Sequence, residues 1–274
     1  MLFALILACT PKDFFEQSRS GTSRNVQAFI EKGVDPNARN KDGETPLMVA
    51  AADNRNSEVI IALVKAGADI KALGKQGWTP LMYAARHNES TKVITTLMGF
   101  GADVNAQDEF GETALTLASG NNRNPEVVRV LLRGGAAIEA QDKVGKTALM
   151  YAAAFNQNTE IISVLLDAGA DIEAHDTFNA TPVMYAAGVN KNPEVISLLL
   201  KAGADMNAQS KSGKTALMYA SENNQNPAVV SVLLKAGADV ETKSNEGKTA
   251  FDYAQANEKL KGTDSYRTLQ KGSN

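Results

Sequence analysis

The chain has 274 residues, of which 43% are hydrophobic and 22% are charged, and its formal net charge is −3. This composition is that of a globular protein with a buried core. The negative net charge argues against a nucleic-acid-binding protein, because neutralising phosphates requires a basic stripe that the sequence nowhere gathers. The single cysteine, Cys9, excludes an intrachain disulfide and a cysteine-based zinc site.

An apolar run opens the chain, and at residues 2–8 it is far shorter than the roughly 20 residues that a membrane-spanning helix needs. It ends in Ile6-Leu7-Ala8-Cys9, which resembles the lipobox of bacterial lipoproteins, where a peptidase cuts before a cysteine that carries a diacylglyceryl group. The resemblance implies that residues 1–8 are a signal segment, that Cys9 is lipidated, and that the protein lies in a bacterial periplasm or outer membrane. A signal peptide has a Lys or Arg before its apolar run, and no such residue precedes the run here. The alternative is an apolar turn packed on the first repeat of a cytoplasmic protein.

A 34-residue repeat follows, with six full copies over residues 41–244. The sequence Gly-Glu-Thr-Pro-Leu-Met-Val-Ala-Ala begins at Gly43, and related sequences begin at Gly77, Gly111, Gly145, Asn179 and Gly213. Residues 9–40 hold a shortened N-terminal capping copy, and residues 245–274 hold a degenerate C-terminal capping copy with a tail. A fixed period of this size is typical of stacked units that cannot bury their apolar faces alone.

Each repeat predicts two short helices. In the first full copy, Thr45 is a good N-cap, and Pro46 suits the first helical position because its missing N–H costs nothing there. Leu47 and the alanines after it form one apolar face, and a second apolar stripe begins at Val59. Gly67 lies where a left-handed residue ends the second helix.

Asparagines recur between the two helices, as Asn54 and Asn56 do in the first full copy. Capping and turn chemistry explains them, and a ligand-binding ladder is the alternative. After the second helix the chain is extended and then turns at a glycine, which is replaced only by Asn179. Asparagine is the non-glycine residue that best tolerates positive φ, so we predict a positive φ at this turn.

This repeat resembles the ankyrin repeat, whose units read approximately D-x-x-G-x-T-P-L-H-x-A-A, V-V-x-L-L and G-A-D-V-N-A. The resemblance covers nearly the whole chain after residue 10. It implies an all-α repeat solenoid of stacked helix–turn–helix units with β-hairpin fingers, in which fingers and inner helices form a concave face. Two features depart from the family. Met48 and its equivalents replace the usual histidine, so that its hydrogen bond is absent or differently supplied, and the period is 34 residues instead of about 33.

The sequence predicts no catalytic residue, no metal site and no cofactor. His87 and His175 lie at different points of different repeats and cannot form a local metal-binding pair. No nucleophile elbow, P-loop or dinucleotide-binding motif occurs. The recurring acidic residues belong to the Gly-Ala-Asp turn, so they repeat along the chain and do not converge. We therefore expect a protein that is not an enzyme.

Finger and inner-helix positions that vary between copies are unusually apolar in the middle repeats. Aromatic residues at regular spacing on a surface are typical of protein-binding hot spots. We predict a protein-binding strip, with the tyrosine hydroxyls exposed on the same face, that consists of Trp78, Tyr83, Phe110, Val144, Tyr151, Phe155, Phe178, Tyr185 and Val189. The alternative is that these side chains lie flat against neighbouring fingers and only stiffen the stack.

The function favoured by the sequence is a monomeric, lipid-anchored scaffold that binds a protein partner on its concave finger and inner-helix face. We expect no nucleic-acid partner, and contact with the membrane only through a lipid at Cys9. Two other functions stay open: an inhibitor or protector of a specific enzyme or toxin in the same compartment, and a self-assembling structural module.

Overall fold

The computed structural model describes residues 11–272, which fold as repeated pairs of short helices. The first, inner helices of the pairs are α1 (Pro11–Ser20), α3 (Pro46–Asp53), α5 (Pro80–His87), α7 (Ala114–Asn121), α9 (Ala148–Phe155), α11 (Pro182–Val189), α13 (Ala216–Asn223) and α15 (Ala250–Ala254). The second, outer helices are α2 (Ser23–Ile30), α4 (Ser57–Lys65), α6 (Thr91–Gly99), α8 (Pro125–Arg133), α10 (Thr159–Asp167), α12 (Pro193–Lys201), α14 (Pro227–Lys235) and α16 (Asp264–Gly272). The predicted all-α repeat fold is confirmed. The lipobox and Cys9 lie outside the described residues.

Two compact units make up the chain. Residues 11–118 with Glu126–Ala137 form the N-terminal unit, and Ser119–Pro125 with residues 138–272 form the C-terminal unit. In the N-terminal unit α1, α3 and α5 pack in succession, as do α2, α4 and α6. In the C-terminal unit α9, α11, α13 and α15 pack in succession, and so do α10, α12, α14 and α16. Each unit therefore buries its core between consecutive repeats, as stacked repeats require.

The fingers between repeats are tight turns. In one of them the Gly74 N–H donates to the Trp78 carbonyl at 2.9 Å, and the Gly77 N–H donates to the Gly74 carbonyl at 3.2 Å. Neighbouring fingers also bond to each other, since the Thr177 N–H donates to the Val144 carbonyl at 2.9 Å. No residue from 11 to 272 is in a β-strand, so each predicted hairpin consists of its turn and the bonds that close it.

The inner helices begin with a cap that uses methionine where the repeat that this chain resembles has histidine. The Thr45 N–H donates to Met48 Sδ at 3.4 Å, and the Met48 N–H donates to Thr45 Oγ1 at 3.3 Å. In α7 the equivalent acceptor is a hydroxyl, and the Thr113 N–H donates to Thr116 Oγ1 at 2.8 Å. The histidine hydrogen bond is therefore supplied differently, by a weak sulfur acceptor or by a hydroxyl.

Both capping copies contain a complete pair of helices. Phe14 of α1 stacks on Phe29 of α2 with ring centroids 5.6 Å apart, and both rings are buried. At the other end, residues 264–272 form α16, which packs on α14 and α15 and buries Leu269. The segment after α15 therefore completes the last repeat with a second helix. The sequence predicted only a tail there.

The turn glycines adopt the predicted positive φ, with φ at 87° for Gly145 and 57° for the substitute Asn179. We expect Gly145→Ala to lower the free energy of unfolding by about 2 kcal/mol, because a Cβ in this region costs about 1–2 kcal/mol. The new Cβ would also lie 3.0 Å from the Thr177 nitrogen of the next finger. Gly169→Ala is the matched control, since Gly169 has φ at 91° and no neighbouring atom lies within 4 Å of the position that a Cβ would take. Equal losses in urea denaturation would show that packing between fingers adds nothing at Gly145.

Candidate functional site

Apolar side chains are exposed on the fingers and inner-helix ends of the C-terminal unit. Val144 and Phe178 lie on fingers, and Phe155 and Val189 are the last residues of α9 and α11. Phe178 is 60% exposed, Phe155 52% and Val189 49%. Asn156 and Asn190 follow α9 and α11 in extended conformation, which ends each helix directly after its apolar residue.

A groove of about 300 Å³ opens between one finger and two inner helices of this unit. It is lined by Asp176, Phe178, Ala180, Met184, Tyr185, Gly188, Val189, Tyr219 and Asn223. The repeat explains why the groove occurs in this place. Ala180 occupies the finger position that Lys146 and Lys214 fill in the neighbouring repeats, and its short side chain leaves the space open. Gly188 lines the groove beside Tyr219, and a Cβ there would lie 3.6 Å from Tyr219 Cβ, in ordinary van der Waals contact.

Tyrosine hydroxyls in the same unit hold the fingers to the inner helices. The Tyr185 hydroxyl donates to Asp176 Oδ2 at 2.6 Å, and the Tyr151 hydroxyl donates to Asp142 Oδ2 at 2.7 Å. The other oxygen of Asp176 accepts the N–H groups of Phe178 and Ala180, each at 2.8 Å. The hydroxyls are therefore engaged inside the protein, contrary to the expectation that they are offered to a partner.

Burial and then the hydrogen bond to Asp176 raise the pKa of Tyr185 above its usual range. Both effects disfavour the phenolate, so the hydroxyl remains a donor wherever the protein is folded near neutral pH. Since the folded-state pKa is above the unfolded value of about 10, this contribution to stability is complete below pH 10 and is lost as pH rises further.

We expect Tyr185→Phe to lower the free energy of unfolding by about 1–2 kcal/mol, because the variant loses a hydrogen bond to a buried carboxylate. Tyr219→Phe is the matched control, since its hydroxyl donates to the neutral Ser210 Oγ at 3.1 Å, and we expect it to cost about half as much. Urea denaturation at pH 7 measures both. A larger loss for Tyr219→Phe would contradict the role given to Asp176.

Lysines lie over the tyrosine rings of successive repeats. The Lys146 ammonium is 5.8 Å from the Tyr151 centroid and 5.1 Å from the Tyr185 centroid. Lys214 lies 4.3 Å from the Tyr253 centroid, and its ammonium is 2.8 Å from a Glu222 carboxylate oxygen. Burial lowers the pKa of Lys214, but the hydrogen bond and charge of Glu222 outweigh it and the net shift is upward. These cations occupy ring faces, so the tyrosines serve as internal supports.

In the N-terminal unit, the predicted residues fall into packed and exposed positions. The Trp78 indole N–H donates to Asp108 Oδ2 at 2.9 Å, and its ring lies 5.3 Å from the Tyr83 ring and 5.2 Å from the Arg86 guanidinium carbon. Tyr83 is buried, whereas Phe110 is 53% exposed. Trp78 and Tyr83 therefore pack against neighbouring side chains, which is the alternative to partner binding. Phe110 belongs with the exposed residues.

The recurring asparagines have a second role that sequence analysis missed. Asn190 Nδ2 donates to the carbonyls of Ala153 and Asn156 in the preceding repeat, both at 2.9 Å, and its Oδ1 accepts the Asn192 N–H at 2.9 Å. The amides that make the same pair of bonds to the preceding repeat are those of Asn54, Asn88, Asn156, Asn224 and Asn257. The signal was an asparagine at one register position in each of the six full copies.

These asparagine side chains are buried, so they hold the stack together and do not form the alternative ligand ladder. Capping is confirmed at the second asparagine of the pair, since Asn192 Oδ1 accepts the Glu194 N–H at 3.0 Å at the start of α12. Within residues 11–272, no group of three or more His, Cys, Asp and Glu side chains could hold a metal ion. In the same range no helix is long and apolar enough to cross a membrane.

Comparison with known proteins identifies the repeat. A family model described as ankyrin repeats (3 copies) matches residues 15–108, 87–176 and 183–269, which together make up most of the chain. The search of curated proteins gives no match.

Proposed function

Because the chain belongs to the ankyrin repeat family, we propose that it is a non-enzymatic scaffold that binds a protein partner on its fingers and inner helices. Ankyrin repeats are generally protein–protein interaction modules and are typically not enzymes. The observation that carries the proposal is the exposed apolar surface of the C-terminal unit, made of Val144, Phe155, Phe178 and Val189. We call these four residues the apolar surface.

The apolar surface has the properties of a contact site and not of incidental exposure. Single apolar residues on a surface are common, but Phe178 and Val189 face the same groove, and Phe155 lies one repeat from Val189. Covering apolar area contributes about 25 cal/mol per Å², so a partner that covers these side chains gains affinity. Trp78, Tyr83, Tyr151 and Tyr185, which were predicted to bind, support the fingers in this proposal, and Phe110 remains a proposed contact.

Site-specific photocrosslinking tests the proposal. A photoreactive phenylalanine analogue is placed at Phe178, and in a matched variant at Lys201, which is exposed at the end of the outer helix α12. We expect a discrete crosslinked partner from position 178 and none from position 201. The adduct should weaken when Val189→Ser is added. Adducts from position 201 alone would place the interaction elsewhere.

We further propose that the scaffold is lipid-anchored at Cys9 in a bacterial envelope. The support is the text Ile6-Leu7-Ala8-Cys9 and the absence of any other cysteine in the sequence. Several acyl chains, at about 0.8 kcal/mol per buried CH₂, give stable anchoring. Mass spectrometry of the protein from its native membrane fraction should show loss of residues 1–8 and an acyl mass on Cys9. An intact, unmodified chain found in the soluble fraction instead would favour the cytoplasm, and the scaffold function would stand.

The proposed oligomeric state is a monomer. Light scattering coupled to size-exclusion chromatography should give a mass that does not change with concentration. A concentration-dependent dimer that Phe178→Ser abolishes would replace partner binding by self-assembly on the apolar surface.

A further inference from the structure

The fingers of the C-terminal unit carry a positive charge that the whole chain does not. We define the basic fingers as residues 141–146, 175–180, 209–214 and 243–248. They contain six lysines and three carboxylates, namely Lys143, Lys146, Lys211, Lys214, Lys243 and Lys248 against Asp142, Asp176 and Glu246. The equivalent residues of the N-terminal unit, 39–44, 73–78 and 107–112, contain three basic and five acidic residues. The sign of the finger charge therefore reverses between the two units.

Much of the negative charge on the basic fingers is already engaged. Asp142 and Asp176 accept tyrosine hydroxyls, and Glu246 pairs with Lys248 at 2.7 Å. Lys143 and Lys211, in contrast, are exposed and make no ion pair within the part of the chain that the structure describes. These two ammonium groups are available to carboxylates from outside.

The groove beside the basic fingers has the size of one side chain. At about 300 Å³ it is at the lower end of the range for small-molecule sites, and it is open along one side. Its walls are Phe178 and Val189, and the Tyr185 and Tyr219 side chains complete the lining. Such a groove suits an aromatic or branched aliphatic side chain, with Phe155 offering a second apolar contact about 8–10 Å away, the spacing of packed helices.

We propose that the groove and the basic fingers bind an acidic protein segment, which inserts an aromatic or branched aliphatic side chain between Phe178 and Val189 and places carboxylates near Lys143 and Lys211. This inference rests on the proposed function and adds the chemistry of the partner. Opposite charge steers such a segment to the surface, and the buried apolar anchor holds it. Single-stranded nucleic acid fits less well, because Asp142 and Asp176 interrupt the basic track that its backbone would follow.

A selection experiment with the full chain tests the partner's chemistry. A phage library of random dodecapeptides is selected on the immobilised protein, and the enriched peptides are synthesised with a fluorescent label. We expect enrichment in Asp and Glu together with Phe, Trp, Leu or Ile. Binding measured by fluorescence anisotropy should weaken as salt rises from 50 to 300 mM, as screening of charge requires.

Substitutions separate the anchor from the charge. Val189→Ser should weaken the selected peptide at least about tenfold, as loss of a hot-spot contact does. Ala180→Lys is the sharpest variant, because lysine occurs naturally at this register position and would fill the groove while adding positive charge. We expect it to weaken binding, whereas binding by charge alone would be strengthened. Leu73→Ser, at an equally exposed residue of the N-terminal unit that is not a proposed contact, is the matched control and should leave binding unchanged.

Several outcomes would overturn the inference. Peptides without acidic enrichment, no enrichment at all, or affinity that survives both Val189→Ser and Ala180→Lys would each do so. Tighter binding of a 20-nucleotide thymidine oligomer than of the peptides would assign the surface to nucleic acid. If peptides bind but only Phe110→Ser, at the proposed contact of the N-terminal unit, weakens them, the scaffold function stands and this site fails. If photocrosslinking at Phe178 also gives no partner, the proposed function fails with it. Circular dichroism and urea denaturation confirm that each variant is folded.

Discussion

Replacing Asn190 by alanine is expected to lower the free energy of unfolding by about 3–5 kcal/mol, since each buried polar group left without a partner costs about 1–3 kcal/mol. The side chain is 1% exposed and makes four hydrogen bonds. Two go to the carbonyls of Ala153 and Asn156, and two are accepted from the Asn192 N–H and Gln157 Nε2. Alanine leaves two buried carbonyls and the partly buried Asn192 N–H without these partners. Urea denaturation with linear extrapolation measures the loss.

Two further variants show which part of the amide matters. Asn192→Ala removes an N-cap and should cost about 1 kcal/mol. Asn190→Asp keeps the acceptor but turns a carboxylate toward two carbonyls, so burial and repulsion raise its folded-state pKa. Relative to the wild type, this variant should be least destabilised below the unfolded pKa of about 4 and lose stability as pH rises toward 7. A loss for Asn190→Ala no larger than that for Asn192→Ala would show that the buried asparagine bonds between repeats do not stabilise the stack.

The fold could be predicted because residues within each repeat indicate where its helices begin and end. Thr45 and Pro46 mark the start of α3, and Gly67 follows the outer helix α4 with φ at 95°. The substitution of Asn179 for glycine indicated that the turn needs a positive φ, and φ is 57° at Asn179. Contacts in a stack of repeats join neighbouring copies, so the period that reveals the units also gives their order.

The partners of the buried polar groups could not be predicted in the same way. Asn190 bonds to residues 37 and 34 positions earlier, and these distances follow from how one repeat stacks on the next. Periodicity gives the register of a side chain but not the direction in which it points. The capping explanation was therefore confirmed for Asn192 and incomplete for Asn190.

The position of each residue within the repeat could have distinguished packed from exposed apolar residues. Phe178 shares its finger position with Phe110 and Val144, and all three are exposed. Trp78 shares its position with Lys146 and Lys214, which lie over tyrosine rings as Trp78 lies against Tyr83. Alignment of the copies thus separates residues that pack inside the protein from residues that are exposed. The prediction of one continuous protein-binding strip treats these two classes as one.

Substituting a packed residue and substituting an exposed residue should change stability by different amounts. Trp78→Ala should lower the free energy of unfolding by about 3 kcal/mol, the lower end for large aromatic residues, because the side chain is half-buried. The variant loses packing on Met48 and Tyr83, and it leaves the buried Asp108 carboxylate without the indole N–H. Phe178→Ala, at a residue 60% exposed, should change the free energy by less than about 0.5 kcal/mol.

Chemical denaturation of the two variants, each alone, decides whether a finger side chain stiffens the stack or is kept for a partner. If Phe178→Ala costs as much as Trp78→Ala, the phenyl ring packs in the folded chain and cannot also carry the proposed contact. If Phe178→Ala is neutral for stability and weakens the selected acidic peptide, the exposed ring is explained by binding. A neutral Trp78→Ala would instead mean that its bond to Asp108 and its contact with Tyr83 contribute nothing net, and that the tryptophan is free to serve as a contact in the N-terminal unit.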